Sequence, residues 1–123
     1  MATPVDNDDH QQIVAIIKHY FDGLHRGDVA LLGRIFHSDV YLKAPNNRRS
    51  IAQWLSDVAE RQSPEKLGLA FRFEIESIDI VKDQAMVKVY CPLYRFNYID
   101  FLGLLKEEGR WSIVSKMYTD VSV

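Results

Sequence analysis

Cysteine is almost missing from this chain. The lone thiol, Cys91, excludes an intramolecular disulfide, so packing alone must hold whatever core forms. Its setting, VKVYCPLY, reads as strand interior, where a thiol acts as a small buried apolar group. An excess of one charge is lacking too. Fifteen basic against 17 acidic residues leave a formal net charge of -2 and no basic surplus to meet a nucleic acid. No apolar run approaches the roughly 20 residues that cross a bilayer, so no membrane partner is expected. The opening MATPVDNDDHQQ has neither the basic nor the apolar region of a secretory signal, and a cytoplasmic location is expected. The spacing of His19, His25 and His37 matches no compact metal motif, no carboxylate pair marks a hydrolytic site, and no glycine loop would cradle phosphate. Neither metal nor cofactor is called for.

What is present suits one folded domain over residues 1–123, with residues 1–9 expected to be a disordered leader. Ile13, Ile16, Ile17, Tyr20, Phe21 and Leu24 recur at spacings of three and four, the stripe of an amphipathic helix. Gly27 is placed to end that helix and Asp28 to cap a second, whose stripe is Leu31, Leu32, Ile35 and Phe36. Ser50 with Gln53 forms a capping-box pattern ahead of a third helix carrying Ile51, Trp54, Leu55 and Val58.

From residue 69 the period changes from about 3.6 to 2. LAFRFEIESIDIV alternates and slips near Ser77, which predicts a bulge. The long AMVKVYCPLYRFNYIDFLGLL divides into two strands, roughly 84–95 and 98–106, and KEEG makes a hairpin into the last strand. On that strand Trp111, Ile113 and Met117 share one side, and Val114, Lys116 and Tyr118 the other. The pattern is α+β, with three N-terminal helices packed on a mostly antiparallel sheet. A sheet apolar on both faces predicts a homodimer through its outer face.

Two stretches, YFDGLHRGDVALLGRIFHSDVYL and YIDFLGLLKEEGRWSIVSKMYT, carry a resemblance. With their Gly-x-x-x-Gly-Asp junction, Phe-His-x-Asp and Gly-Arg-Trp-x-Ile-x-x-Lys ending, the chain resembles the NTF2-like superfamily. That group includes ketosteroid isomerase, SnoaL-like cyclases and, nearest in pattern, the lumazine-binding NTF2-like proteins of bacteria. The resemblance implies a cone: helices on a curved sheet with a ligand pocket at the wide mouth, lined by aromatics. It is specific for fold and weak for activity.

The isomerase chemistry carries over poorly. Its oxyanion tyrosine falls on Tyr20, but its base falls on Ala44, which cannot take a proton. Its second acid falls on Phe101 when counted back from the Gly109 hairpin, or on Asp100 when Ile-Asp is matched directly. One residue changes the face, so the two exclude each other, and the hairpin count is preferred here.

The expected ligand contacts are Tyr20, Trp54, Phe101, Lys116 and Tyr118, with Asp39, His37 and Asp100 as weaker candidates. Each has a plainer reading. Lys116 could reach solvent along the sheet rim, Tyr20 and Tyr118 could be satisfied core phenols, Trp54 could be core, and His37 could bond free helix carbonyls. Three functions stay open: binding of a small organic molecule, a small cofactor-independent isomerase, dehydratase or cyclase, and a dimerisation or interaction module.

Overall fold

The computed structural model describes residues 5–123, with side chains from residue 8 onward. Helix α1 covers Val5–Arg26, so it includes part of the stretch expected as a leader, and residues 1–4 lie outside the described residues. Its stripe buries Ile13, Ile17, Tyr20, Phe21 and Leu24. Full burial of each such aliphatic side chain contributes about 1.5–3 kcal/mol. Gly27 ends α1 at φ 67°, a left-handed conformation that a Cβ would strain. The Asp28 carboxylate then accepts from the Leu31 amide and starts α2, Val29–Ile35. The corner between them is tight because Gly23 has no side chain: a Cβ there would stand 2.5 Å from Leu32 Cδ2.

Strands β1 (Tyr41–Ala44) and β2 (Asn47–Ser50) form a hairpin turned at Asn46, which adopts φ 61°. The Ser50 hydroxyl accepts from the Gln53 amide and caps α3, Ile51–Glu60. Four longer segments follow: β3 (Glu74–Val81), β4 (Gln84–Leu93), β5 (Phe96–Glu107) and β6 (Arg110–Asp120). The register shift between Ile75 and Ser77 is the bulge that the broken alternation predicted. The β4–β5 turn falls at Tyr94 and Arg95, slightly before the expected bend, with Tyr94 at φ 58°.

The six strands form one sheet in the order β2-β1-β6-β5-β4-β3, antiparallel except where β1 runs parallel to β6. The expected cone is corrected here. Strands β2 and β3 are free edges at opposite ends of the order, so the ladder does not close and the sheet is not curled into a cone. The α+β class and the three helices stand. One face is buried beneath the helices: Ala85, Val87, Val89, Cys91 and Leu93 alternate inward along β4, while Met86 stays exposed.

A second shift decides what faces the helices. Between β5 and β6, Gly103 pairs with Ser115 but Leu104 pairs with Ile113, so Val114 is an extra residue on β6. It flips the alternation halfway along the strand. Trp111 and Ile113 point inward before it, and Lys116 points inward after it. The inward face thus takes Trp111 and Ile113 from one expected side and Lys116 from the other, while Met117 turns outward.

Candidate functional site

The inward residues of β5 and β6 meet α1 and α3 in a cavity of about 60 Å³. Among its lining residues, Trp54, Asp100 and Lys116 are buried and Arg49, Arg61 and Tyr118 are half-buried. That volume matches about two water molecules at roughly 30 Å³ each.

Asp100 is its most unusual member. It is 2% exposed, and its Oδ2 accepts from the Tyr20 hydroxyl at 2.6 Å. Its Oδ1 is buried with no hydrogen-bond partner. A carboxylate oxygen left this way costs about 1–3 kcal/mol or more. Burial pushes the Tyr20 phenol well above its ordinary pKa, and the Asp100 charge raises it further, so Tyr20 remains a donor. Burial likewise drives the Cys91 thiol upward, with Asp100 adding to the effect. Cys91 is an inert core thiol.

Lys116 is 6% exposed, and among the described residues it forms no ion pair. Its Nζ lies 4.4 Å from the Trp54 ring centroid, 5.2 Å from that of Tyr20 and 5.8 Å from that of Tyr118. These faces offset part of the desolvation of an ammonium. Burial lowers the Lys116 pKa from the usual lysine value; Asp100 and Cys91 oppose the shift, and Arg61 and Arg49 reinforce it. The result is an amine more readily neutral than a surface lysine.

Phe101, the residue favoured by counting from the hairpin, lies on the opposite face and is 42% exposed. The count failed because Val114 is a bulge. With it, Lys116 pairs with Leu102 and Tyr118 with Asp100, which brings Asp100 inside instead. Tyr20, Trp54, Lys116, Tyr118 and Asp100 therefore converge. His37 and Asp39 do not. They form an exposed pair, Nδ1 to Oδ1 at 2.7 Å, and His37 borders a different depression beside Trp111. Ala44 ends β1 and supplies no base. Among the described residues no cluster of three potential ligands could hold a metal ion.

Two arginines of the site were not singled out from the sequence. Arg49 pairs with the buried Leu42 across the β1–β2 hairpin and donates through Nη1 to Asp57 Oδ2 at 2.8 Å. Arg61 follows Trp54 and Val58 at spacings of four and three, so it continues the α3 stripe. That spacing was the signal available. Arg49 Nε and Arg61 Nη2 are both buried without a partner.

Outside the site, Asp9 Oδ1 accepts from Lys106 Nζ at 3.0 Å and from Trp111 Nε1 at 3.1 Å, tying α1 to the β5–β6 hairpin. Those hydrogen bonds, Lys106 first and Trp111 second, hold the Asp9 carboxyl below its usual pKa.

Known proteins share this layout. An NTF2-like protein of unknown function from Shewanella baltica is 23% identical, with a TM-score of 0.81 over 100% of both chains. An NTF-2 like protein of unknown function from Silicibacter pomeroyi is also 23% identical, with a TM-score of 0.76 over 94% of this chain and 98% of that one. At such identity the likeness shows the fold. In sequence, the aldolase FrzH of Cladobotryum sp is 27% identical over 124 residues, 96% of each chain. The model of the family described as "Putative lumazine-binding" matches residues 8–119, nearly the whole chain, and the protein belongs to that family.

Proposed function

We propose that this chain binds a small carbonyl compound in the hollow between α1, α3 and the sheet, and moves a proton next to that carbonyl in aldol-type chemistry. The observation that carries the reading is buried Asp100, whose Oδ1 has no hydrogen-bond partner, lining the same cavity as Lys116. A carboxylate oxygen free of donors is a competent base, and its second oxygen is held in place by Tyr20. Charge that builds on the carbonyl oxygen would be met by Lys116. The name of the FrzH relative, an aldolase, agrees with this class of reaction.

The cavity of about 60 Å³ is small beside the roughly 300–1,000 Å³ of ordinary ligand sites, so a lining side chain such as half-buried Tyr118 has to move for a ligand to enter. The same small volume favours a second reading, non-catalytic capture of a compact ligand. One experiment separates them. In D2O, the wild-type protein is expected to exchange the methyl protons of pyruvate or acetone, followed by proton NMR. Asp100→Asn should lose about 100-fold or more of that rate. Thermal stabilisation by the ketone without exchange would leave binding alone. Neither exchange nor stabilisation across a panel of ketones and oxo acids would end both readings.

The proposal extends to assembly. Met86, Phe101 and Met117, 46%, 42% and 45% exposed, lie together on the outer face of the sheet. Phe101 pairs directly with Met117, and both would be covered in a homodimer built on that face.

A further inference from the structure

We propose that Lys116 holds its substrate covalently, as an iminium formed with a 2-oxo acid whose carboxylate is bound by Arg61 and Arg49. This rests on the carbonyl-binding reading above and deepens it. Three observations at one cavity support it. The first is the Lys116 amine itself: buried, without an ion pair among the described residues, and walled by Trp54, Tyr20 and Tyr118. A lysine desolvated among apolar groups is the form of that side chain that attacks carbonyls. The second is Asp100, which lines the same cavity and whose buried Oδ1 has no hydrogen-bond partner. The third is the pair of arginines that line the same cavity, each with a buried nitrogen, Arg49 Nε and Arg61 Nη2, that has no acceptor.

A neutral ketone would satisfy the amine and leave both guanidinium nitrogens bare. A ligand with a carboxylate beside its carbonyl satisfies all of them. Arginine recognises a carboxylate through charge-assisted hydrogen bonds, worth roughly twice a neutral one. Asp57 already neutralises part of the Arg49 charge through Nη1, which leaves Nε directed to other partners. Arg61 Cζ rests 5.4 Å from the Tyr94 ring centroid, a cation–π contact that helps to hold the guanidinium in place.

The step balances. The Lys116 ammonium gives one proton to Asp100 through an intervening water, and its nitrogen lone pair adds to the keto carbon while the C=O π pair moves to oxygen. The second nitrogen proton passes to that oxygen and gives a neutral carbinolamine. Asp100 then returns its proton to the hydroxyl, the C–O bond breaks and water leaves. The nitrogen lone pair closes the C=N bond. One ammonium and one ketone have become one iminium and one water, with charge unchanged.

The test is reductive trapping. Protein incubated with pyruvate and cyanoborohydride is expected to gain the mass of one reduced pyruvate adduct, mapped by peptide mass spectrometry to Lys116. The Lys116→Met variant, checked for folding by circular dichroism, should show no site-specific adduct. Arg61→Met should need about tenfold more pyruvate for half-maximal labelling. Acetone, which lacks the carboxylate, should label far more slowly than pyruvate. An adduct spread evenly over the surface lysines, or unchanged in Lys116→Met, overturns the proposal. Equal labelling by acetone and pyruvate overturns the arginine contribution. Proton exchange on pyruvate without any adduct would sink the covalent step and leave the proposed function intact. Absence of both would remove the two together.

Discussion

Removing a single oxygen atom from Tyr20 tests the site at its centre. In Tyr20→Phe the ring still fills the core, where Tyr20 packs edge-on against Phe36 at 5.9 Å. What disappears is the 2.6 Å hydrogen bond to Asp100 Oδ2. Because Asp100 Oδ1 is already without a partner, the variant leaves the buried carboxylate without its phenol donor and with only the weak Cys91 thiol beside it. Hydrogen bonds to charged groups contribute about 1.5–3 kcal/mol, so a loss of about 2 kcal/mol is expected. For a chain of 123 residues the unfolding entropy is roughly 0.26 kcal/mol/K, which turns that loss into a fall in Tm of about 8 °C. The double variant Tyr20→Phe, Asp100→Leu supplies the control. Replacing both partners by apolar groups removes the buried charge with its donor, so part of the stability should return. Urea denaturation of the wild type, both single variants and the double variant gives the coupling energy directly. A Tyr20→Phe variant within about 0.5 kcal/mol of wild type would refute the reasoning, because it would mean that something other than the phenol satisfies Asp100.

Other consequences can be measured on the same material. Asp9→Asn should lower the denaturation midpoint, since it weakens the hold on Lys106 and Trp111. The pH dependence has a defined sign. The folded Asp9 pKa lies below its unfolded value, so its contribution is present above about pH 4 and is lost as pH falls through the folded value. An Asp9→Asn variant should therefore differ from wild type at pH 7 and converge with it in acid; a constant difference would contradict the assignment. Gly23→Ala should destabilise by about 1–3 kcal/mol despite a better helix propensity, because its Cβ meets Leu32 at 2.5 Å. A more stable variant would show that the α1–α2 corner can shift at little cost. Phe101→Glu, which touches nothing in the cavity, should convert a dimer into monomers in sedimentation velocity. A wild-type monomer at micromolar concentration would remove the outer-face pairing.

Much of this molecule follows from periodicity. Spacings of three and four placed the first and third helices, and Gly27, Asp28 and Ser50 marked their boundaries because each solves a local backbone problem within a few residues. The change to alternation placed the strands, and the break near Ser77 marked the β3 bulge. Tyr20 and Trp54 lie on the helical stripes that the same counting marked, whereas Lys116 and Tyr118 join the face of Trp111 and Ile113 only through the Val114 bulge. The aspartate was not decided that way. Which of Asp100 and Phe101 faces the helices depends on Val114, an unpaired residue on the neighbouring strand that leaves no mark in β5 itself.

The residue pattern by itself therefore determined the class, the element order and most of the inward set, since those depend on neighbours a few positions apart. Tertiary structure decided the rest. It left the sheet open, with β2 and β3 as edges, because closure depends on how strands far apart in sequence meet. It turned Asp100 inward through the bulge, and it joined Arg49 from β2 and Arg61 from beyond α3 to the amine on β6. The cavity exists only where these distant segments meet, and its unsatisfied polar atoms are a property of that meeting.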